Sequence, residues 1–182
     1  MQAYLERLFL KMSEELIEHI TWDGNVVQVR PKSDLKKEMF PHKVSLIIPQ
    51  EDGKLLLCRR AKDKHPFPDT WCCAVGGKVS AGESFEAAAM REMLEEIGTE
   101  EPVEHVASFK YDEDDYKALF SVFTTKNTIP RDKIKIDKSE IQYLRAFSVA
   151  ELKELITNNP EEFAPTFRAV IKAFTESKKW KK

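Results

Sequence analysis

The stretch that decides the fold is Gly77–Gly98, which reads GKVSAGESFEAAAMREMLEEIG. It begins as a glycine-containing loop and continues as a predicted helix over Phe85–Ile97. Ser84 is a preferred N-cap residue, and Gly98 stands where a C′ glycine ends a helix. Apolar side chains recur every four residues within the helix and predict one buried face, formed by Phe85, Ala89, Met93 and Ile97.

Three carboxylates interrupt this otherwise favourable helix. Glu92, Glu95 and Glu96 are related by i,i+3 and i,i+4 steps, so that like charges lie on one side of two turns. Glu95 and Glu96 also lie in the last turn, at the negative end of the helix dipole. This arrangement costs stability unless a cation shares the charge, and Mg²⁺ binds one or two carboxylates together with substrate phosphates. The alternative interpretation is a solvated acidic face, with Arg91 paired to Glu95.

The same stretch resembles the Nudix box, the signature of a superfamily that hydrolyses nucleoside diphosphates linked to another moiety. The charged and glycine positions that match are Gly77, Glu83, Arg91, Glu92, Glu95, Glu96 and Gly98. Met93 is an acceptable substitute at one hydrophobic position, whereas Thr99 stands where an aliphatic residue is usual. The resemblance implies an α+β chain with the Nudix fold, an α/β/α sandwich with a mixed central β-sheet.

The resemblance also implies roles for the matched residues. The positions of Glu92, Glu95 and Glu96 carry catalysis and bind Mg²⁺ or Mn²⁺ in the superfamily, and Gly77 can offer its backbone carbonyl to the metal. The structural residues of the motif would be the ion pair of Glu83 with Arg91, and Gly98.

A carboxylate from outside the box is often the general base in this superfamily. Glu140, just before a predicted strand, is the candidate here, and an exposed loop acid is the alternative interpretation. Four further residues are candidates for substrate binding, each with a structural alternative: Arg59, Arg60, Lys78 and Trp71. By period two, Arg59 and Arg60 point opposite ways, so one is expected to be structural and the other to contact phosphate.

Composition limits the classes of protein to which the chain can belong. With 182 residues, 42% hydrophobic and 33% charged, it is expected to form one soluble domain. The net charge of −2 and the absence of a long basic run argue against nucleic acid as a partner. The three cysteines lack a CxxC motif and read as small core residues of a reduced, cytoplasmic protein. No signal peptide or apolar run of membrane-spanning length is evident, so no membrane association is expected.

The chain divides into an N-terminal extension at 1–40, the catalytic domain at 41–177 and a basic tail at 178–182. Residues 4–20 predict an amphipathic helix, which either packs on its own domain or forms a homodimer contact. A short helix is predicted at 31–39, and later helices at 149–156 and from about 165. Predicted strands cover 26–29, 44–49, 54–60, 71–75, 103–110, 116–125 and 141–147, with 44–49 and 54–60 joined as a hairpin through Asp52-Gly53.

Other segments, including Phe67–Trp71, resemble the Nudix branch that contains isopentenyl-diphosphate isomerases. Those isomerases carry a catalytic cysteine and a metal-binding histidine where this chain has Gly76 and Lys78. The sequence therefore favours a metal-dependent hydrolase of a nucleoside diphosphate derivative, such as a nucleotide sugar, ADP-ribose or a (d)NTP. An isomerase-like enzyme and a catalytically silent nucleotide sensor are the alternatives.

Overall fold

The computed structural model describes residues 14–113 and 115–177. Its strands are β1 (Leu16–Ile20), β2 (Val26–Pro31), β3 (His42–Ile47), β4 (Gln50–Glu51), β5 (Lys54–Arg60), β6 (Trp71–Cys73), β7 (Val75–Lys78), β8 (Val103–Glu113), β9 (Tyr116–Thr125) and β10 (Ile141–Phe147). The α-helices are α1 (Phe85–Ile97), α2 (Val149–Asn158) and α3 (Pro165–Glu176). Short 3₁₀ helices lie at Lys32–Lys36, Arg131–Lys133 and Pro160–Glu162.

The strands form two four-stranded sheets and a separate β1–β2 hairpin. The first sheet has the order β7-β3-β9-β8 and is mixed, because β3 and β9 run parallel while its other pairs are antiparallel. In the second sheet β5 pairs with β10, β4 and β6, and all of these pairs are antiparallel. Both the predicted α+β class and a mixed sheet are therefore confirmed.

Apolar side chains of β5 pack on both of its faces. Leu55 and Leu57 belong to the core under α2 and α3, whereas Leu56 and Cys58 belong to the core under α1. A strand covered on both sides reads as a continuous apolar run, which explains the sequence of this segment. The helices thus lie on opposite sides of the strands, as in an α/β/α sandwich.

The central helix begins and ends at the predicted residues. The side chain of Ser84 accepts a hydrogen bond from the Ala87 amide at 3.1 Å. At the other end, Gly98 has φ +67°, and its amide donates to the Leu94 carbonyl at 3.1 Å. These local signals fix the helix, and with it the two turns that carry the carboxylates.

The predicted helix over residues 4–20 is wrong at its C-terminal end, and residues 4–13 lie outside the described part of the chain. Leu16–Ile20 is a strand that pairs antiparallel with β2. Ile17 and Ile20 are buried, while Glu18 accepts hydrogen bonds from Lys43 Nζ at 2.7 Å and the Gly82 amide at 3.0 Å. The pairing with β2 and the contacts to the box loop override the helical spacing of the apolar residues.

Two strand predictions and one helix prediction also need correction. The Asp52-Gly53 turn joins β5 to the short β4, not to β3, because the chain passes from the first sheet to the second at Pro49. The predicted strand 71–75 is two strands that belong to different sheets, with the break at Ala74. The helix predicted at 31–39 is instead a short 3₁₀ helix over Lys32–Lys36.

Candidate active site

A cavity of about 260 Å³ lies between the two sheets, beside α1 and α3. Three carboxylates line it: Glu92 and Glu96 from α1, and Glu140 from the segment before β10. Four cationic side chains line it as well, namely Lys32, Arg60, Lys64 and Lys78. The fold therefore brings together residues separated by more than a hundred positions in the sequence.

Glu92 and Glu96 lie one turn apart on α1 and turn toward β7. The Glu96 carboxylate accepts a hydrogen bond from the Gly76 amide at 3.2 Å. Burial raises its pKa well above the usual range for a glutamate, and the charge of Glu92 adds to this effect. Burial also raises the pKa of Glu92, although the Arg91 guanidinium opposes the shift. Two partly desolvated carboxylates in one cavity favour a cation between or beside them.

Gly77, which the sequence predicted to lie in a loop, is part of β7 and allows the Glu92 carboxylate to approach the backbone of that strand. A Cβ atom on Gly77 would lie 2.0 Å from Glu92 Oε1, far inside contact distance. Only a residue without a side chain can therefore occupy position 77 while Glu92 keeps this position.

Arg91 ties the loop to the helix. It donates to Glu83 through Nε at 3.0 Å and Nη2 at 2.9 Å, a bidentate arrangement. Its Nη2 also reaches the Lys78 carbonyl at 3.1 Å, and its Nη1 reaches Glu92 Oε1 at 2.7 Å. These contacts raise the pKa of Arg91, with the hydrogen bond to Glu83 as the largest cause. Arg91 and Glu83 thus hold the loop and the Glu92 carboxylate in place.

Glu140 and Glu95 differ in their relation to the cavity. Glu140 lines it and forms an ion pair with Lys64, a residue of the loop between β5 and β6. The Glu95 side chain is 59% exposed, lies 3.5 Å from Arg91 Nη1 and is not part of the cavity wall. Among Glu92, Glu95 and Glu96, it is Glu95 that would have to change its side-chain conformation to face the cavity.

The two arginines at the end of β5 point in different directions. Arg59 pairs with Asp69 at 2.8 Å and Glu162 at 2.5 Å, away from the cavity. Arg60 lines the cavity, and its buried Nε has no hydrogen-bond partner among the residues described. Lys78 also lines the cavity, and burial lowers its pKa to about 8. Arg60 and Lys78 are therefore the two candidates in position to contact an anion.

Trp71 lies in the core and not in the cavity wall. Its ring packs edge-on against Phe147 with the centroids 4.9 Å apart. Sequence reasoning missed several residues that do line the cavity: Lys32, Lys64, Phe120, Phe167, and the thiols of Cys58 and Cys72. They come from separate elements, and no local motif links them to the box.

Comparison with known proteins identifies the family. The NUDIX domain family matches residues 39–170, well over half of the chain. This chain belongs to the Nudix family. It is 27% identical over 164 residues to a prenyl-diphosphate phosphatase of Methanosarcina mazei, covering 88% of this chain and 96% of that protein. It is 25% identical over 180 residues to isopentenyl-diphosphate Δ-isomerase 2 of Photorhabdus laumondii, covering 93% and 98%.

The fold agrees with this assignment. The crystal structure of DR0079 from Deinococcus radiodurans superposes with a TM-score of 0.75 at 20% identity, covering 88% of this chain and 99% of that one. The Nudix fold is confirmed, and the chain is a Nudix hydrolase, a class that acts on diphosphate linkages and generally uses divalent metal ions. Within residues 14–113 and 115–177, none of the helices combines the length and the apolar character needed to span a membrane.

The described residues fit a divalent cation of the kind that Nudix hydrolases use. In this part of the chain no group of three or more His, Cys, Asp or Glu side chains forms a ready-made metal cluster. Glu92 and Glu96 nevertheless offer carboxylate oxygens in one cavity, and the raised pKa of Glu96 reflects a buried charge in need of compensation. Mg²⁺ is usually held by one or two carboxylates, water and substrate phosphates, so this donor set suits it.

The ion pair within the Nudix box leads to a stability prediction. Glu83→Gln removes the charge that holds Arg91, and we expect the free energy of unfolding to fall by about 1–3 kcal/mol, the cost of weakening a charged hydrogen-bonded pair. Thermal melting in chelator measures this directly. The matched control is Glu86→Gln, an exposed glutamate in the first turn of the same helix, which should lower the free energy of unfolding by less than about 1 kcal/mol, through the lost interaction with the helix dipole. A variant that melts normally but binds Mg²⁺ weakly would instead make Glu83 a metal ligand.

Proposed function

We propose that this Nudix hydrolase uses Mg²⁺ or Mn²⁺ to cleave the diphosphate linkage of a small organic diphosphate. The observation that carries the proposal is the meeting of Glu92 and Glu96 with Arg60 and Lys78 in one cavity. The reaction needs carboxylates to hold a metal cation and cationic side chains to hold the phosphates, because a diphosphate in water repels an anionic nucleophile.

Each group then has a chemical task. A bound divalent cation would screen the phosphate charge and make hydroxide available near neutral pH. Glu92 and Glu96 would hold that cation, with Glu95 and the Gly77 carbonyl as further ligands implied by the motif. Arg60 and Lys78 bind phosphate oxygens, and Glu92 or Glu140 accepts the proton of the attacking water. The Lys64 ion pair orients Glu140 for this step.

The wall beyond Lys78 favours an apolar organic group on the diphosphate. Lys78 is the cross-strand neighbour of Val44, and Val44 is the neighbour of Phe120. Adjacent strands lie about 4.8 Å apart, so this row runs from a cation to an aromatic ring over roughly 10 Å. Phe120 stacks in parallel on Tyr116, with the centroids 6.1 Å apart, and Phe167 faces the same cavity.

This wall suits a prenyl diphosphate better than a nucleoside diphosphate derivative. A nucleobase is selected by directional hydrogen bonds from buried polar groups, whereas an alkyl chain needs apolar surface alone. The similarity to a prenyl-diphosphate phosphatase, which extends over 88% of the chain, supports the same choice. Nucleoside diphosphate derivatives, such as a nucleotide sugar, ADP-ribose or a (d)NTP, are the second candidate class. They present the same diphosphate to the Nudix box as a prenyl diphosphate does.

Isomerisation is a separate reaction that the cavity chemistry supports less well. An isomerase has to protonate an alkene, and positions 76 and 78 supply glycine and lysine where the isomerases carry a thiol and an imidazole. The Cys58 and Cys72 thiols do line the cavity, so isomer formation belongs in the same test.

The test is a substrate panel with Mg²⁺ and, separately, Mn²⁺. Short prenyl diphosphates, ADP-ribose, a nucleotide sugar and dNTPs are incubated with the protein, and the products are separated by chromatography. We expect hydrolysis that chelator abolishes, with kcat/KM at least about tenfold higher for a prenyl diphosphate than for any nucleotide. Faster nucleotide cleavage would favour the second candidate class. Tight nucleotide binding without cleavage would indicate a sensor, and dimethylallyl diphosphate formed faster than any hydrolysis product would indicate an isomerase.

Two further proposals concern the state of the protein in the cell. The free thiols of Cys58, Cys72 and Cys73 support a cytoplasmic location, where thiols stay reduced. We also propose that the protein forms a homodimer through the N-terminal extension at 1–40. Measuring the mass of the native protein in solution tests this.

A further inference from the structure

Two cysteine side chains meet in the wall of the cavity. Cys58 on β5 and Cys72 on β6 are directly opposite each other in the antiparallel pairing. Their Sγ atoms lie 3.2 Å apart, and both thiols donate to the same acceptor, the Cys73 carbonyl, at 3.1 and 3.3 Å. Directly opposite residues lie on the same face of a sheet, and the shared acceptor keeps the two sulfurs close together.

The pairing of these two residues is compatible with the backbone spacing of a disulfide. Directly opposite residues in an antiparallel pair have Cα atoms about 4.5–5.5 Å apart. Disulfides span Cα separations of about 4.4–6.8 Å, so directly opposite residues lie within the reach of a cross-link. Cys58 is buried, but Cys72 is partly exposed at the cavity, which gives an oxidant a path to the pair.

We propose that Cys58 and Cys72 form a reversible redox site, which closes to a disulfide in the presence of a peroxide and opens again with a thiol reductant. In the first step the Cys72 sulfur attacks a peroxide oxygen, the O–O bond breaks, and a sulfenic acid and one water form from hydrogen peroxide. Cys58 then attacks the sulfenic sulfur, releasing a second water. Two thiols lose two electrons and two protons in total, and hydrogen peroxide is reduced to two waters.

The cross-link would close the loop that carries part of the cavity wall. Residues 61–70 connect β5 to β6 and contribute Lys64, His65 and Phe67 to the cavity. Joining the strands at both ends of this loop restricts the unfolded chain, and the loss of its conformational entropy favours the folded state. Oxidation should therefore raise the melting temperature, and reductant should reverse the rise.

The neighbouring thiol provides a matched control. Cys73 follows Cys72 in the chain but points to the opposite face of β6; it also borders the cavity, yet its side chain packs in the core under α2 and α3. Its thiol is expected to take no part in the cross-link. Cys73→Ala should thus respond to peroxide like the parent, whereas Cys58→Ala and Cys72→Ala should form no internal cross-link.

The experiment treats the reduced full-length chain with a small excess of hydrogen peroxide, then blocks free thiols under denaturing conditions and maps the peptides. We expect two of the three thiols to be lost, a peptide that joins Cys58 to Cys72, and full recovery in dithiothreitol. The peptide map of the parent decides the matter even if a variant fails to fold. A map in which both cysteines stay reduced or oxidise separately, or in which Cys73 enters the bridge, would overturn the proposal.

Discussion

Glu96→Gln should lower kcat/KM for the best diphosphate substrate by about a hundredfold or more, while the protein without metal becomes more stable. The loss follows from removing a carboxylate that we propose as a cation ligand, since even groups one step outside a metal's ligand shell cost about 10–100-fold when changed. Glutamine keeps the shape and an oxygen that can accept the Gly76 hydrogen bond. The change therefore isolates the charge.

The gain in stability follows from the raised pKa of Glu96. Because the folded state binds the proton more tightly than the unfolded chain, the glutamate favours folding at pH values below its unfolded pKa, near 4.5. As pH rises from there through the folded pKa, that contribution is lost, and the buried charge destabilises the protein. In chelator above neutral pH, Glu96→Gln should melt higher, by about 2–4 °C for each kcal/mol recovered.

Melting curves from pH 4 to 9 in chelator, paired with rates in Mg²⁺, test both effects. Glu86→Gln in the first turn of the same helix should leave the rate unchanged and should not melt higher than the parent. Glu95→Gln should also lower activity but raise stability in chelator much less than Glu96→Gln, because the Glu95 side chain is 59% exposed. Unchanged activity in Glu96→Gln, or a large loss of stability in chelator, would contradict the assignment of Glu96 as a ligand.

The sequence predicts most reliably what depends on neighbouring residues. The bounds of α1 follow from Ser84 and Gly98, whose capping interactions are local. The β5 run of apolar residues correctly predicted a strand covered on both faces. The helix prediction for Leu16–Ile20 was wrong because this strand is stabilised by pairing with β2 and by contacts to the box loop. Neither can be predicted from the spacing of its apolar residues.

The same distinction between local and long-range contacts applies to the candidate site. The motif indicates Glu92 and Glu96, but only the fold joins Glu140 to Lys64 across 76 positions of sequence. Period two indicates that Arg59 and Arg60 diverge, yet the choice between them depends on Asp69 and Glu162, which pair with Arg59. The cavity thiols lie outside the box and belong to no local motif.

Gly77→Ala should lower kcat/KM to a similar extent as Glu96→Gln, by about a hundredfold or more, without replacing any charged or reacting group. The added methyl group would lie 2.0 Å from Glu92 Oε1 and 2.1 Å from Glu92 Cδ, so the carboxylate has to leave its position. Gly77 does not have the left-handed φ that only glycine adopts readily, so alanine adds no backbone strain. The loss should therefore appear in catalysis and in Mg²⁺ affinity, while the melting temperature changes little.

Gly53→Ala provides the reverse comparison. Gly53 has φ +74° in the β4–β5 turn, and a Cβ atom there would meet no atom within 4 Å. Alanine at this position should lower the free energy of unfolding by about 1 kcal/mol through strain and leave kcat/KM unchanged. Measuring both quantities for both variants separates a displaced ligand from a weakened fold. If Gly77→Ala retains parental activity and Mg²⁺ affinity, the position of Glu92 against Gly77 of β7 has no part in catalysis, and another carboxylate has to hold the cation.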